Sequence, residues 1–373
     1  MQRINYVCFG NASGYSQAAQ DMILAIHRSG KYDVRVQYIF ENTVRRQGTT
    51  SERTRLFKSL QEKQFNKDCY QIFHCIPSVQ NNFKKQPANK TIGFATFETF
   101  NPPNDGKAGW IHKLNKNDGV ICPSRFNEKI FRHAGVSKPI FYIPHGCDTD
   151  LYNKDVEPLE KHDRFTFLFF SEWRLRKGYK VLLEAWARAF RPTDNVQLII
   201  KTSNNKAAKA SSCVKHIVKE IGFAQDGIAP VRFEKRIFDE EQLPRFIKSA
   251  DCLVSPTRGE GFGLPGLQCM FLKVPVIITN FSGCQDYANK ETATLLEPSG
   301  FELITGGLDA LPQFRDKKWP IVTVADTIKA MRGVFENYDN AKKKADSAYD
   351  FVMDRFTYDH VFAHFDNMMH QKI

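Results

Sequence analysis

The 373-residue sequence predicts an α/β fold of two doubly wound domains, each a parallel sheet with helices on both faces. Three observations carry this. Strand-type and helix-type segments alternate, the alternation restarts beyond residue 163, and glycine-bearing turns join strands to helices. The length suits two ordinary cores better than one very large one.

Each element follows from its local pattern. Ile4–Phe9 is a short apolar run closed by Gly10 and predicts the first strand, with a helix over Tyr15–Ser29 behind it. Tyr32–Phe40 is the next strand. Ser51–Phe65 predicts a basic amphipathic helix, with Leu56, Phe57 and Leu60 on or near one face. Tyr70–His74, Thr91–Thr96, Val120–Cys122 and Ile140–Ile143 are β-type runs bounded by Pro, Gly or Asn. After Pro144-His145-Gly146 the polar stretch Asp148–Asp163 lacks periodicity and is expected to link the domains. The pattern then restarts: strands at Phe165–Phe170, Val196–Ile200, Val231–Phe233, Cys252–Val254 and Val276–Thr279. Helices are expected between them at Lys180–Ala189, Ala207–Ile221, Glu240–Ala250 and Pro265–Phe271. Helical stretches around Ala325–Glu336, Asn340–Phe351 and Tyr358–Met369 close the chain. The expected division is 1–150, a linker at 151–163, a second domain at 164–355 and a terminal helix at 356–373.

Composition excludes several classes. Hydrophobic residues make up 42% and charged residues 25%, the balance of a globular protein. No apolar run approaches the roughly 20 residues that cross a bilayer, and the N-terminus lacks a signal-peptide core. The nine cysteines are irregularly spaced without a CxxC pair, which argues against a zinc cage and fits a reducing cytoplasm. The net charge of +12 is uneven: residues 1–150 carry 21 Lys+Arg against 12 Asp+Glu, the remainder 32 against 29. Part of the surplus is Arg45, Arg46, Arg53, Arg55, Lys58, Lys63 and Lys67, opposed by Glu52 and Glu62. Such a patch attracts anionic lipid, a phosphorylated acceptor or nucleic acid, or is simply a solvated helix face. Nucleic acid is not expected, because RNP-type aromatic motifs and a helix-turn-helix are missing. Peripheral contact with an anionic membrane stays open.

Three strand-to-helix junctions have ligand-binding chemistry. Gly10-Asn11-Ala12-Ser13-Gly14-Tyr15 follows the first strand, where a doubly wound sheet binds ligands and a helix N-terminus favours anions. The full GxGxxG pattern is absent, which disfavours an NAD enzyme. Arg174-Leu175-Arg176-Lys177-Gly178 puts three cations at a turn, a clamp for a diphosphate or an exposed basic loop. In Thr257-Arg258-Gly259-Glu260-Gly261-Phe262-Gly263-Leu264-Pro265, the two glycines around Phe262 let the backbone approach a ligand, and proline suits a first helical turn. Glu260 there either accepts hydrogen bonds from sugar hydroxyls or merely offsets a helix dipole.

The segments PHGCDTDLY, FFSEWRLRKGYKVLLEAWARAF and SADCLVSPTRGEGFGLPGLQCMFLKVPVIITNFSG resemble the retaining glycosyltransferase family four, of GT-B fold. GNASGYSQAA, FATFETFNPP and NDGVICPSRFNEKIFRHAGV are similar to the N-terminal domain of that group, and the matches run in order from about residue 6 to 297. The resemblance implies two Rossmann-like domains facing across a cleft, with the terminal helix bracing the first. It implies that Arg176 and Lys177 hold the donor diphosphate, with Arg174 nearby, and that Glu260 contacts the transferred sugar. The Phe262, Gly263 and Leu264 amides would meet the sugar or β-phosphate, Gly14 the phosphates, and Arg232 the base pocket. Ser13, Tyr15, Glu98 and His145 would face the acceptor or the cleft. With Arg and Lys as the charge stabilisers, no metal or other cofactor is implied. Asp148-Thr149-Asp150 spells the DxD metal signature of the other transferase fold, but it sits inside PHGCDTDLY, where no metal role is expected.

Two departures stand out. The family's second glutamate is Gln268 here, which offers the ribose one acceptor oxygen and a donor in place of a carboxylate. The Gly-Arg pair ahead of the lysine is replaced by Ser171-Glu172, leaving Arg174 or Arg176 as second cation. The reading is a retaining, metal-independent hexosyltransferase. It would be cytoplasmic or peripheral at a membrane, using a nucleotide sugar and a saccharide, lipid-linked or other hydroxyl acceptor. Its rivals are a catalytically silent nucleotide-sugar-binding protein, a sugar-nucleotide epimerase of the same fold and a basic nucleic-acid-binding protein.

Overall fold

A computed structural model describes residues 1–10, 13–39, 52–64, 68–80, 88–202, 204–222, 224, 227–304 and 312–371, with the side chains of 204–209 and 312 outside the description. The chain divides into two compact units: Met1–Asp148 with Phe356–Ile373, and Thr149–Arg355.

In the first unit, β1 (Gln2–Phe9), α1 (Gly14–Arg28), β2 (Tyr32–Ile39), α2 (Glu52–Glu62), β3 (Tyr70–His74), α3 (Pro77–Gln80) and β4 (Lys90–Phe94) come first. α4 (Trp110–Leu114), β5 (Gly119–Cys122), α5 (Arg125–His133) and β6 (Ile140–Tyr142) follow. The strands form one parallel sheet in the order β2-β1-β3-β4-β5-β6. Burial on both faces explains why β1 and β3 read as continuous apolar runs. The sequence reading passed over α5, a nine-residue helix announced by Ser124, whose side chain accepts from the Asn127 N–H at its start.

The second unit holds β7 (Phe165–Phe170), α6 (Tyr179–Ala189), β8 (Val196–Lys201), α7 (Asn204–Glu220), β9 (Val231–Glu234), α8 (Gln242–Lys248) and β10 (Cys252–Ser255). Then come α9 (Leu264–Phe271), β11 (Val276–Thr279), β12 (Thr294–Leu296), the antiparallel pair β13 (Phe301–Leu303) and β14 (Lys318–Pro320), α10 (Val324–Glu336) and α11 (Tyr338–Met353). Its main sheet is parallel, in the order β12-β11-β10-β7-β8-β9. Strand order reverses between β7 and β10, so the turns leaving their carboxyl ends lie at the topological switch point, where open α/β sheets bind ligands. The core is aromatic: buried Trp186 packs on Phe167 and Phe190 and donates its indole N–H to the Ala229 carbonyl at 3.0 Å.

Residues 151–163, expected as a linker, belong to the second unit. The Leu159 N–H donates to the Arg245 carbonyl at 2.9 Å and the Glu160 N–H to Ser249 Oγ at 3.0 Å, so backbone hydrogen bonds to α8 and its C-terminus hold a stretch without apolar periodicity.

The chain returns to the first unit through α12 (Tyr358–His370), capped by Thr357. Tyr358, Val361, Phe365, Met368 and Met369 share one helical face and are buried with Met22, Ile23 and Ile26 of α1. The Tyr358 hydroxyl donates to Asp21 Oδ1 at 2.7 Å, beside Arg53 at 3.1 Å and the Gln17 amide at 2.8 Å. Burial nonetheless holds the Asp21 carboxyl above its usual range, against these three partners.

That pairing recasts the basic stretch seen in the sequence. Arg53 is bound to Asp21 and Lys63 to Asp33, so of its described cations Arg55 and Lys58 are the exposed ones; Arg45, Arg46 and Lys67 lie outside the described residues. Among the described residues, no helix is long and apolar enough to cross a membrane.

Candidate functional site

Two turns of the second unit meet at the switch point. The turn after β7 coils into a short 3-10 helix over Leu175–Lys177, ended by Gly178 in the left-handed region (φ 77°). A Cβ at Gly178 would lie 1.9 Å from the Pro256 carbonyl oxygen, so both conformation and space demand glycine. The Arg258 N–H donates to the Arg176 carbonyl at 2.6 Å, which ties this turn to the one after β10.

Across that junction the charges converge. Lys177 Nζ lies 2.7 Å from each oxygen of Glu260, and Arg176 NH1 lies 3.7 Å from Oε2 while donating to the Gly259 carbonyl at 2.5 Å. Thr257 Oγ1 donates to Glu260 Oε1 at 2.9 Å. The three charged side chains are only 11–14% exposed. Burial by itself would raise the Glu260 carboxyl; the Lys177 and Arg176 charges, with hydrogen bonds from Lys177 and Thr257, outweigh it and hold the group below its usual range. One ionised carboxylate against two cations leaves net positive charge in a half-desolvated turn.

The next residues present backbone. Gly263 (φ 96°) precedes α9 without a side-chain cap, and Pro265 stands in its first turn, so the amides there make an anion-receptive end. The Phe262 side chain is buried against Tyr287, so only its main chain can serve a ligand. Gln268 is buried and donates its Nε2 to the Tyr152 hydroxyl at 3.2 Å. Arg174 pairs with Glu172 at 2.9 Å, which makes Arg176 the cation that joins Lys177 on Glu260. Arg232 is exposed on the edge strand β9.

The first unit holds the other sequence-predicted residues. Ser13 caps α1, its Oγ accepting from the Ser16 N–H at 3.2 Å, and Gly14 is the first helical residue, with open space where a Cβ would stand. Asn11 and Ala12 lie outside the described residues. Tyr15 is edge-on to His74 (5.3 Å) and Phe94 (5.7 Å), and burial pushes its phenol well up. His145 lies parallel to Phe94 and His74 at 5.8 and 6.0 Å, and burial pushes it down to about 3. Tyr15 and His145 therefore belong to one aromatic cluster at the carboxyl ends of β3 and β4. Glu98 is half-buried in the loop after β4. Asp148, first carboxylate of the DxD, is gripped by both terminal nitrogens of Arg28 at 2.9 and 2.7 Å. Among the described residues, no group of three or more His, Cys, Asp or Glu is placed to hold a metal ion.

Residues 164–306 match the family model for glycosyl transferases group 1. The chain carries a group 1 glycosyltransferase domain, and is on that ground a glycosyltransferase. Sucrose-phosphate synthase from Thermosynechococcus elongatus is similar in structure over 99% of this chain and 98% of its own, with a TM-score of 0.69 at 15% identity. HepE of Anabaena, solved with UDP and glucose, is similar over 99% of each chain, with a TM-score of 0.70 at 13% identity. The fold is thus GT-B, with two Rossmann-like units. In sequence, the chain is 23% identical over 254 residues to uncharacterized protein 356 of Sulfolobus islandicus rod-shaped virus 1, which spans 66% of this chain and 67% of that protein.

Within each unit, several residues that bond to these side chains and turns are not singled out by the sequence pattern. Thr257 opens the third junction but carries no role in the sequence reading, and Ser282 lies 22 residues beyond Glu260; both bond to Glu260. Tyr287 donates to the Gly263 carbonyl at 2.7 Å. Tyr152, inside the PHGCDTDLY block, was the partner Gln268 lacked. His74 is fully buried at the end of β3, with Nδ1 2.7 Å from the Tyr6 hydroxyl; its place at a strand's carboxyl end was the available signal.

Proposed function

We propose that the chain is a retaining, metal-independent glycosyltransferase that moves a sugar from a nucleoside diphosphate sugar to a hydroxyl of a saccharide, lipid or other acceptor. The observation that carries this is the pair of half-buried cations, Arg176 and Lys177, sharing the buried Glu260 carboxylate beside the uncapped N-terminus of α9. Such a turn receives a dianionic diphosphate, with Lys177 and Arg176 on its oxygens and the Gly263–Leu264 amides beside them. Glu260, kept ionised, then accepts from hydroxyls of the transferred sugar. Gln268, its Nε2 given to Tyr152, offers its oxygen to the ribose.

The reaction follows from where charge moves. The sugar's anomeric carbon loses its bond to the diphosphate and gains one to the acceptor oxygen, through an oxocarbenium-like transition state. Negative charge grows on the leaving diphosphate, toward which the fixed cations and amides point their stabilisation. In the retaining route implied by the family resemblance, the acceptor attacks from the leaving group's face and its proton passes to the departing phosphate. HepE's complex with UDP and glucose makes a UDP-sugar the first donor to try.

The test is a panel of UDP-, GDP-, ADP- and dTDP-sugars, scored for thermal stabilisation and for release of nucleoside diphosphate, with and without EDTA. Turnover of one donor unaffected by EDTA, with the anomeric configuration kept in the product, is the expected result. Loss of turnover in EDTA restored by Mg²⁺ would overturn metal independence, and an inverted product would overturn retention. Stabilisation without turnover would favour a silent binding protein. No response to any donor would overturn the donor-site reading itself.

A further inference from the structure

Beneath the Glu260 turn runs the loop that follows β11. Ser282 stands there in the left-handed region (φ 62°), a conformation that residues with a side chain rarely adopt, and it is fully buried. Its Oγ accepts from the Glu260 N–H at 2.8 Å, and the next amide, of Gly283, donates to the Glu260 carbonyl at 3.0 Å. Both backbone groups of Glu260 are therefore held by two consecutive residues of one loop. The approach is close: a Cβ at Gly283 would lie 2.2 Å from the Gly261 oxygen and 2.7 Å from the Phe262 Cα. Further along, the Tyr287 hydroxyl takes the Gly263 carbonyl, so the loop grips the turn at both ends. Strained non-glycine backbone persists only where surrounding contacts over-determine it, and such sites cluster where geometry serves function.

We infer that Ser282 is a positioning residue of the transfer reaction, its hydroxyl fixing the Glu260 backbone so that the carboxylate meets Lys177 and, on the proposed reading of the site, the donor sugar. The requirement falls on the hydroxyl and not on the bend. Glycine would make the same bend with less strain, so a purely structural role would leave Ser282→Gly as good as the parent or better. A positioning role requires the opposite, because the Glu260 N–H loses its acceptor and the carboxylate's location loosens. Loosening a carboxylate whose hold on the sugar must strengthen as positive charge develops on the ring lowers kcat more than it raises donor KM.

The experiment compares the parent chain with Ser282→Gly and Ser282→Ala in two measurements. The first is amide hydrogen exchange of the 257–264 segment, read by mass spectrometry without any substrate. Exchange in that segment at least tenfold faster in both variants, with the β7 and β8 segments unchanged, is expected; unchanged exchange would overturn the inference. The second is kcat and KM for whichever sugar of the UDP, GDP, ADP and dTDP panel the parent turns over. A fall in kcat of tenfold or more, with KM within about threefold, is expected in both variants, and a Ser282→Gly chain with parental kcat would overturn the inference. Should the parent turn over no donor, the transferase reading fails, while the exchange measurement still decides whether Ser282 holds Glu260. Should Ser282→Ala fail to fold, Ser282→Gly, relieved of strain, keeps both measurements available.

Discussion

Lys177 and Glu260 meet across 83 residues of chain, and their pairing is where this protein's electrostatics are most exposed to test. Removing one partner of a buried ion pair leaves an uncompensated charge and costs about 3–5 kcal/mol, whereas removing both is far milder. Arg176 remains near Glu260 and puts the expectation at the low end. Lys177→Met is expected to destabilise the second unit by about 3 kcal/mol in denaturant melts, and Lys177→Met with Glu260→Gln to recover most of it. Equal losses in the single and double variants would mean that the pair is uncoupled. On the proposed reading of the site, turnover of the accepted donor should fall by ~10²–10³ in Lys177→Ala, because one donor aimed at the leaving diphosphate would be gone. His145 supplies a second test. Its folded-state value, about 3, lies below the roughly 6.5 of an unfolded histidine, so between those values the unfolded chain binds more protons. The stabilising effect of a neutral His145 is complete above about pH 6.5 and is lost as pH falls toward 3, reaching about 2 kcal/mol of loss at pH 5. His74, lowered by burial and by the charge of His145, acts in the same direction. Melts of the first unit at pH 7 and pH 5 should therefore diverge, and His145→Gln should shrink the gap; an unchanged gap would place the acid sensitivity elsewhere.

At the scale of elements, two glycines that look alike in the sequence separate in the structure. Gly178→Ala must relieve a left-handed φ and a 1.9 Å approach to the Pro256 oxygen, so it should lower the second unit's melting temperature by several degrees and dismantle the cation turn. Gly14→Ala meets open space at a helical position, and calorimetry should find it neutral or up to about 1 kcal/mol stabilising. The long elements were legible because helix and strand periods are local: β7 and β11 appear at the expected bounds, and α6 and α9 within a residue. Others were not. β12, β13 and β14 are three residues each, too few for a period to emerge and, unlike the equally short β6, without a wholly apolar run; α5 is amphipathic behind its Ser124 cap, but its apolar positions Phe126, Ile130 and Phe131 are few among charged neighbours. Of the site, the cation turn and the Glu-Gly-Phe-Gly turn were readable as residue types at strand ends. The roles of Thr257, which opens the second of these turns, and of Ser282 and Tyr287 were not, because a hydroxyl acquires meaning only from the group it bonds.

For the whole molecule, the return of α12 to the first unit has a large energetic consequence. Tyr358, Val361, Phe365, Met368 and Met369 are buried there, at roughly 1.5–3 kcal/mol for each large side chain, which together rivals the 5–15 kcal/mol of a typical domain's stability. Deleting residues 356–373 should abolish the cooperative melt of the first unit and leave that of the second; a truncated chain with both transitions intact would show that α12 only decorates the surface. The sequence by itself determined the alternation of strands and helices, the two-fold division, and which strand ends carry cations, glycines and a carboxylate. These depend on neighbours a few residues away. Only the tertiary structure decided that Arg176 and Lys177 face Glu260, that Tyr152 answers Gln268 from 116 residues upstream, and that the basic stretch near α2 is partly spent on Asp21 and Asp33. The reason is the same in each case. The crossover that sets β10 beside β7, and the helix that returns to α1, bring together residues whose local patterns contain no information about one another.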